Sequence, residues 1–215
     1  MNTLLFDFDG TLVDSVPVYT AAEIRILEEN GVAYPENVGE IVTPLGYKGT
    51  AEYFINGLGL KMSIDEVMVL FDKYMVQAYS NDVPAKEYVI SVLKELKKQG
   101  KSLNVLTASP HITVDPCMKR LGITELFDNV WSTDEFGLTK ADPELFIRAA
   151  QLLNEKPENI LHFDDSLEAV RTAKKAGMKT CGVYDSLWAK DTKEIKNVTD
   201  YYIDDFSQLL DLDVI

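Results

Sequence analysis

Residues 4–15 read LLFDFDGTLVDS, and this segment constrains the fold more than any other stretch of the chain. Leu4, Leu5, Phe6 and Phe8 are apolar and read as a buried strand. Asp7 and Asp9 sit where that strand should end, and Gly10 and Thr11 follow at once. An apolar strand that stops on carboxylates puts charge at the carboxyl edge of a sheet, the edge at which open α/β folds bind ligands. Two anions this close repel one another unless a cation or a phosphate-handling task compensates for them.

From about Val83 onward, strand-like and helix-like stretches alternate. Pro84 suits a first helical turn, Val89, Val92, Leu93 and Leu96 give one apolar face, and Gly100 marks the stop. An apolar run from Leu103 to Leu106 then ends on Thr107, Ala108 and Ser109. Val130 and Trp131 form a short strand, and Asp142–Pro143 is a cap and first-turn pair for a helix through about Leu153. NILHFDDS, residues 159–166, is another strand that ends on paired aspartates, followed by a helix that stops at Gly177. Thr180 to Val183 and Tyr201 to Ile203 complete the strand candidates. Strands separated by helices imply right-handed crossovers, hence an α/β, Rossmann-like fold with a mostly parallel sheet flanked by helices.

Residues 16–82 lack that alternation. Ile24 and Leu27, then Val67, Leu70, Phe71 and Tyr74, recur at helical spacing, and Ser63 with Glu66 forms a capping box. The expected organisation is a core of residues 1–15 and 83–215 that carries a helical insert over 16–82. The segment TPLGYKGT, residues 43–50, reads as a loop of that insert.

A parallel sheet presents every strand's carboxyl end at one edge, which gathers distant residues. That edge would hold Asp7 and Asp9, Thr107 and Ser109, and Asp164 and Asp165, with Lys140 in the loop GLTKADP able to reach it. Each element alone has an ordinary structural explanation: Asp–X–Asp as a turn, Asp164–Ser166 as a helix cap, Thr107 as a strand end, Lys140 as a solvated surface residue. Their joint appearance in this order points to a site. An all-oxygen donor set of this kind suits Mg2+ with a substrate phosphate.

The overall charge sharpens that reading. A net charge of −14 argues against nonspecific binding to nucleic acid or a membrane surface, so an anionic substrate needs positive charge supplied locally. Apolar runs fall short of the roughly 18 residues of a membrane span, and Asp7 interrupts the first of them, unlike a signal peptide. With Cys117 and Cys181 as the only cysteines, the chain has no disulfide framework and no CxxC metal site, and a cytoplasmic setting is expected. His111 reads as a loop histidine and His162 as a core or strand-end residue.

DFDGTLVDS, VLTAS, TKADPELF and HFDDS, in this order, resemble the four motifs of the haloacid dehalogenase superfamily of phosphatases. The likeness covers most of the chain, and the helical insert resembles that family's cap. It implies that Asp7 is the nucleophile that forms an aspartyl-phosphate, and that Asp9 is the acid/base that protonates the leaving oxygen and then activates water. It further implies that Thr107 bonds the transferring phosphoryl group and Lys140 neutralises charge on Asp7 and the phosphate. Asp164 and Asp165 would hold Mg2+, with Asp7 and the backbone carbonyl of Asp9 completing its ligands. Gly10, Thr11, Ala108 and Ser109 would line the substrate phosphate.

The expected activity is Mg2+-dependent hydrolysis of a small phosphorylated metabolite. Asp9 speaks against dehalogenation, because the family's dehalogenases lack an acid/base aspartate there. A phosphosugar mutase of the β-phosphoglucomutase type is the alternative, weakened because Tyr19 stands where those members carry a cap histidine. A phosphonate hydrolase would need a cap lysine able to form a Schiff base, for which Lys48 has no other support. A non-catalytic regulator that binds a phosphometabolite is a further alternative. Lys48 is a candidate contact to a second anionic group of the substrate, with a solvent-exposed surface lysine as the competing explanation.

Overall fold

The apolar runs become β1 (Thr3–Phe6), β2 (Ser102–Thr107), β3 (Asn129–Ser132), β4 (Ile160–Asp164), β5 (Lys179–Val183) and β6 (Tyr201–Ile203) of one sheet. The computed structural model describes residues 1–42 and 45–215. The strands are hydrogen-bonded in the order β3-β2-β1-β4-β5-β6, and all pairs are parallel. This strand order reverses direction at β1, which opens a crevice at the carboxyl ends of β1 and β4. Register sets what faces that crevice. Phe6 pairs with Phe163, and the Asp7 amide donates to the Phe163 carbonyl at 2.8 Å, so Asp7 stands beside Asp164.

Helices α5 (Val89–Lys98), α6 (His111–Leu121), α7 (Pro143–Leu152), α8 (Leu167–Lys175) and α9 (Thr192–Val198) belong to the same unit as the sheet. One core gathers Leu5, Leu106, Leu145, Phe146 and Ile160, with Trp131 packed against it. Phe6 belongs to a second aromatic cluster, stacked on Phe163 at 4.5 Å with Phe206 at 6.3 Å. Each such ring or leucine contributes roughly 1.5–3 kcal/mol by leaving water. With side chains buried on both sides, the central strands read as continuous apolar runs rather than alternating ones.

The chain divides into two compact units, one of Met1–Asp14 with Pro84–Ile215 and one of Ser15–Val83. The second holds α1 (Val16–Glu29), α2 (Val38–Val42), α3 (Gly46–Asn56) and α4 (Ile64–Asn81). α1 and α3 both pack on α4. The Ser63–Glu66 capping box that starts α4 is present in both directions. Among the described residues no helix is long and apolar enough to cross a membrane.

Three local expectations need correction. Pro84 does not open a helix; α5 begins at Val89, because Ala85 bridges Val13 and the Lys86 amide is held by the Leu12 carbonyl at 3.0 Å. Tyr88, left-handed at φ 64°, ends that extended segment. The segment 43–50 is not a loop throughout: Thr43 and Pro44 lie outside the described residues, and Gly46 to Thr50 form the first turns of α3, with Thr50, Ala51 and Phe54 buried. His111 is the first residue of α6 rather than a loop residue.

Candidate active site

Three strand ends and one loop bring the charged groups together. Asp7 directly follows β1, Asp164 ends β4 and Asp165 follows it, and all three are buried. Their carboxylate oxygens lie within 4.8 Å of one another. Lys140, in the turn before α7, places its ammonium 2.5 Å from Asp7 Oδ1 and 2.7 Å from Asp164 Oδ2. α7 is fixed locally by the Asp142 side chain, which accepts from the Glu144 amide at 2.9 Å, and by Pro143 in its first turn.

Four formal charges in a dry site do not balance. Burial pushes Asp7 up to about 7, against the pull of Lys140, with Asp164 and Asp9 adding to the rise. Asp165 is driven well above the ordinary carboxylate range by burial and then by Asp164 and Asp7. Burial alone would also raise Asp164, but Lys140 overrides it and holds that carboxyl well below its usual value. For Lys140, burial acts to lower the ammonium, and Asp164 and Asp7 reverse this and raise it. One ammonium thus faces three buried carboxylates, and the surplus negative charge fits a divalent cation. The donors are all carboxylate oxygens, the set a hard cation such as Mg2+ takes.

The turn after β1 is pressed against this cluster. Gly10 has φ +72°, and a Cβ there would lie 2.4 Å from Asp165 Oδ2, so both backbone angle and space require glycine. The Thr11 hydroxyl donates to Asp165 Oδ1 at 3.2 Å. Both residues therefore contact the acidic cluster rather than a free cavity. Asp9, half-buried, accepts from the Ser109 hydroxyl at 2.5 Å, which ties the first and second strand ends together. Ser109 also donates its amide to Thr107 Oγ1 at 3.0 Å, which leaves the Thr107 hydroxyl proton to serve another acceptor. Ala108 is exposed beside them. Lys48 is exposed on α3, in the other compact unit.

His162, read from the sequence as a core or strand-end residue, is fully buried in β4, and Asp185 is a further neighbour of the cluster that the sequence reading missed. His162 Nδ1 lies 3.1 Å from the Leu5 carbonyl, and since a carbonyl only accepts, Nδ1 carries the proton and donates it. Its Nε2 lies 3.3 Å from Asp164 Oδ2 without hydrogen-bond geometry. Asp185, buried two residues beyond β5, pairs with Lys86. The rule that found Asp7 and Asp164, an acid just past an apolar strand, applies equally to Asp185.

The profile of the haloacid dehalogenase-like hydrolases matches residues 1–177 of the chain. A phosphorylated carbohydrates phosphatase of Thermotoga maritima is 27% identical over 188 residues, 87% of each protein. A phosphoglycolate phosphatase of Psychrobacter arcticus is 32% identical over an alignment of 219 residues, which covers 97% of this chain and 94% of the relative. Among solved structures, a putative beta-phosphoglucomutase from Thermotoga maritima superimposes with a TM-score of 0.86 at 25% identity, covering 98% of this chain and 97% of that one.

Proposed function

The chain belongs to the haloacid dehalogenase-like hydrolases, and on that premise we propose that it is a Mg2+-dependent phosphomonoester hydrolase acting on a small phosphorylated metabolite through phosphorylation of Asp7. The observation that carries this reading is the Asp7–Lys140–Asp164 chain of contacts, at 2.5 and 2.7 Å, beside Asp165. A carboxylate nucleophile works only where its charge and that of the phosphate are offset, and here an ammonium touches the nucleophile directly.

The steps use this chain's own groups. An Asp7 carboxylate oxygen attacks phosphorus, the bond to the leaving oxygen breaks, and Asp9 in its acid form gives that oxygen a proton. The Asp9 carboxylate then takes a proton from water, whose oxygen attacks the phosphorus of the aspartyl-phosphate. The bond to Asp7 breaks, phosphate leaves, and both acids return to their starting states. Lys140 holds Asp7 in place and offsets the incoming charge. The Thr107 hydroxyl, already accepting from Ser109, donates to a phosphoryl oxygen, and Ser109 keeps Asp9 directed through its 2.5 Å bond. Asp7, Asp164 and Asp165 are the side chains that would hold Mg2+, which when bound supplies positive charge for the phosphoryl oxygens.

We assign recognition of the leaving group to Ser15–Val83, the counterpart of the family's cap, with Lys48 as its candidate anion contact. The substrates named for the two relatives, phosphorylated carbohydrates and phosphoglycolate, define the first esters to assay. Phosphate release from that panel should require Mg2+, stop with EDTA, and disappear in Asp7→Asn. Full activity in Asp7→Asn would overturn the reading. A phosphosugar mutase is the second reading, favoured by the putative beta-phosphoglucomutase among the structural neighbours. It predicts isomerised hexose phosphate, in the presence of a bisphosphate activator, in place of free phosphate.

A further inference from the structure

Lys86 lies where the chain returns from the helical insert, and its surroundings are not those of a surface lysine. Its ammonium donates to the Gly10 carbonyl, to the Tyr184 carbonyl at 2.7 Å and to Asp185 Oδ2 at 2.8 Å. An ammonium has three protons, so the set is complete, and the acceptors come from two segments far apart in sequence. The side chain is 17% exposed and that of Asp185 3%.

The backbone repeats the link. The Lys86 amide donates to the Leu12 carbonyl at 3.0 Å, Ala85 bridges Val13, and the Asp14 amide donates to the Pro84 carbonyl at 3.0 Å. The turn 9–13 is thus gripped from one segment by main chain and by side chain. Inside the turn, the Gly10 amide donates to the Val13 carbonyl at 2.9 Å, and the Leu12 and Val13 amides donate to the Phe8 carbonyl. On its far side, Gly10 has no room to move toward Asp165, and Thr11 is bonded to that same carboxylate.

We propose that Lys86 is a positioning residue for the reaction: by clamping the Gly10 carbonyl to the Asp185 loop, it fixes the turn that carries Asp9 and Thr11 against Asp165. The catalytic consequence rests on the hydrolase reading; the mechanical one does not. Asp9 sits one bond from the clamped residue, so a turn released from Lys86 delivers the proton from a wider range of positions. Small misplacement of a reacting group costs rate out of proportion to the distance moved.

Lys86→Met alone would strand the buried Asp185 charge and risk unfolding, so the test uses Lys86→Met with Asp185→Asn. Asparagine retains the oxygen that accepts from the Leu187 amide at 2.9 Å. A pair with a purely structural role predicts that this neutral double variant regains stability, turn order and rate together. Positioning predicts a folded variant in which the amides of Gly10, Leu12 and Val13 exchange at least about tenfold faster, while those of β2 and β4 exchange as in wild type. It further predicts a kcat on para-nitrophenyl phosphate lowered about tenfold or more, with KM within about twofold. Wild-type exchange in the turn overturns the proposal, and so does a loosened turn with undiminished kcat. A wild-type protein that releases no phosphate counts against the hydrolase reading instead, and the exchange rates still decide whether Lys86 holds the turn.

Discussion

The unit of Met1–Asp14 and Pro84–Ile215 buries Asp7, Asp164 and Asp165 with Lys140 among them. In the unit Ser15–Val83, by contrast, no charged side chain among the described residues is buried, and aliphatic side chains and aromatic rings pack together. There Tyr19 stacks on Tyr47 at 5.7 Å, Tyr47 meets Phe71 at 5.3 Å, and Phe71 meets Phe54 at 6.2 Å. Buried charge is expensive and is kept where chemistry needs it, whereas packed rings are the ordinary interior of a small helical unit. The contrast separates two kinds of expected effect. Changes in the first unit should act on every ester alike, and changes in the second should act differently from one ester to the next.

The largest effect should come from Lys140→Ala. Removing the ammonium leaves Asp7 and Asp164 buried without their partner, a loss of about 3–5 kcal/mol by urea denaturation together with loss of turnover on all esters. A variant of near wild-type stability would break the claim that these charges are desolvated.

A moderate effect is expected from pH in metal-free protein. Asp7 is raised from the ordinary range of about 4 to about 7, so the folded state holds this proton more tightly than the unfolded state does. Its contribution is therefore fully present below about pH 4 and is lost as pH rises through about 7. Asp165 acts in the same direction. Asp164, held low, acts oppositely, and its contribution is lost only as pH falls below its ordinary value. With EDTA present, Tm should decline as pH rises from about 4 through about 7 more steeply in wild type than in Asp7→Asn, and Mg2+ should recover much of it at the upper end. Equal slopes in the two proteins would break the account of the cluster's charge.

The smallest effect belongs to the other unit. Lys48→Ala should alter kinetic constants about two- to fivefold for esters with a second anionic group, and leave Tm and other esters unchanged. Constants unchanged across the whole panel would remove Lys48 from recognition.

The two units also differed in how far the sequence revealed them. Apolar runs that stop on acids or hydroxyls identified the ends of β1, β2 and β4, because buried parallel strands leave an unbroken signal. Their order in the sheet carries no such local mark, and only the register places Asp7 beside Asp164. In the insert, Gly46 and Gly49 suggested a loop, yet burial of Thr50, Ala51 and Phe54 makes the segment helical from Gly46 onward. Pro84 misled in the opposite direction, since pairing with residues 12–14 keeps its segment extended. Lys86 had no signature at all, because its acceptors lie 76 and 98 or more positions away along the chain.

The central claim is that Asp7 itself accepts the phosphoryl group. It is tested most directly by acid-quenching the wild-type protein during turnover of a phosphate ester with Mg2+ and mapping the phosphorylated peptide by mass spectrometry. The account predicts an acyl-phosphate on Asp7, absent without Mg2+ and cleaved by hydroxylamine. Sustained turnover with Asp7 unmodified, and undiminished in Asp7→Asn, would contradict it.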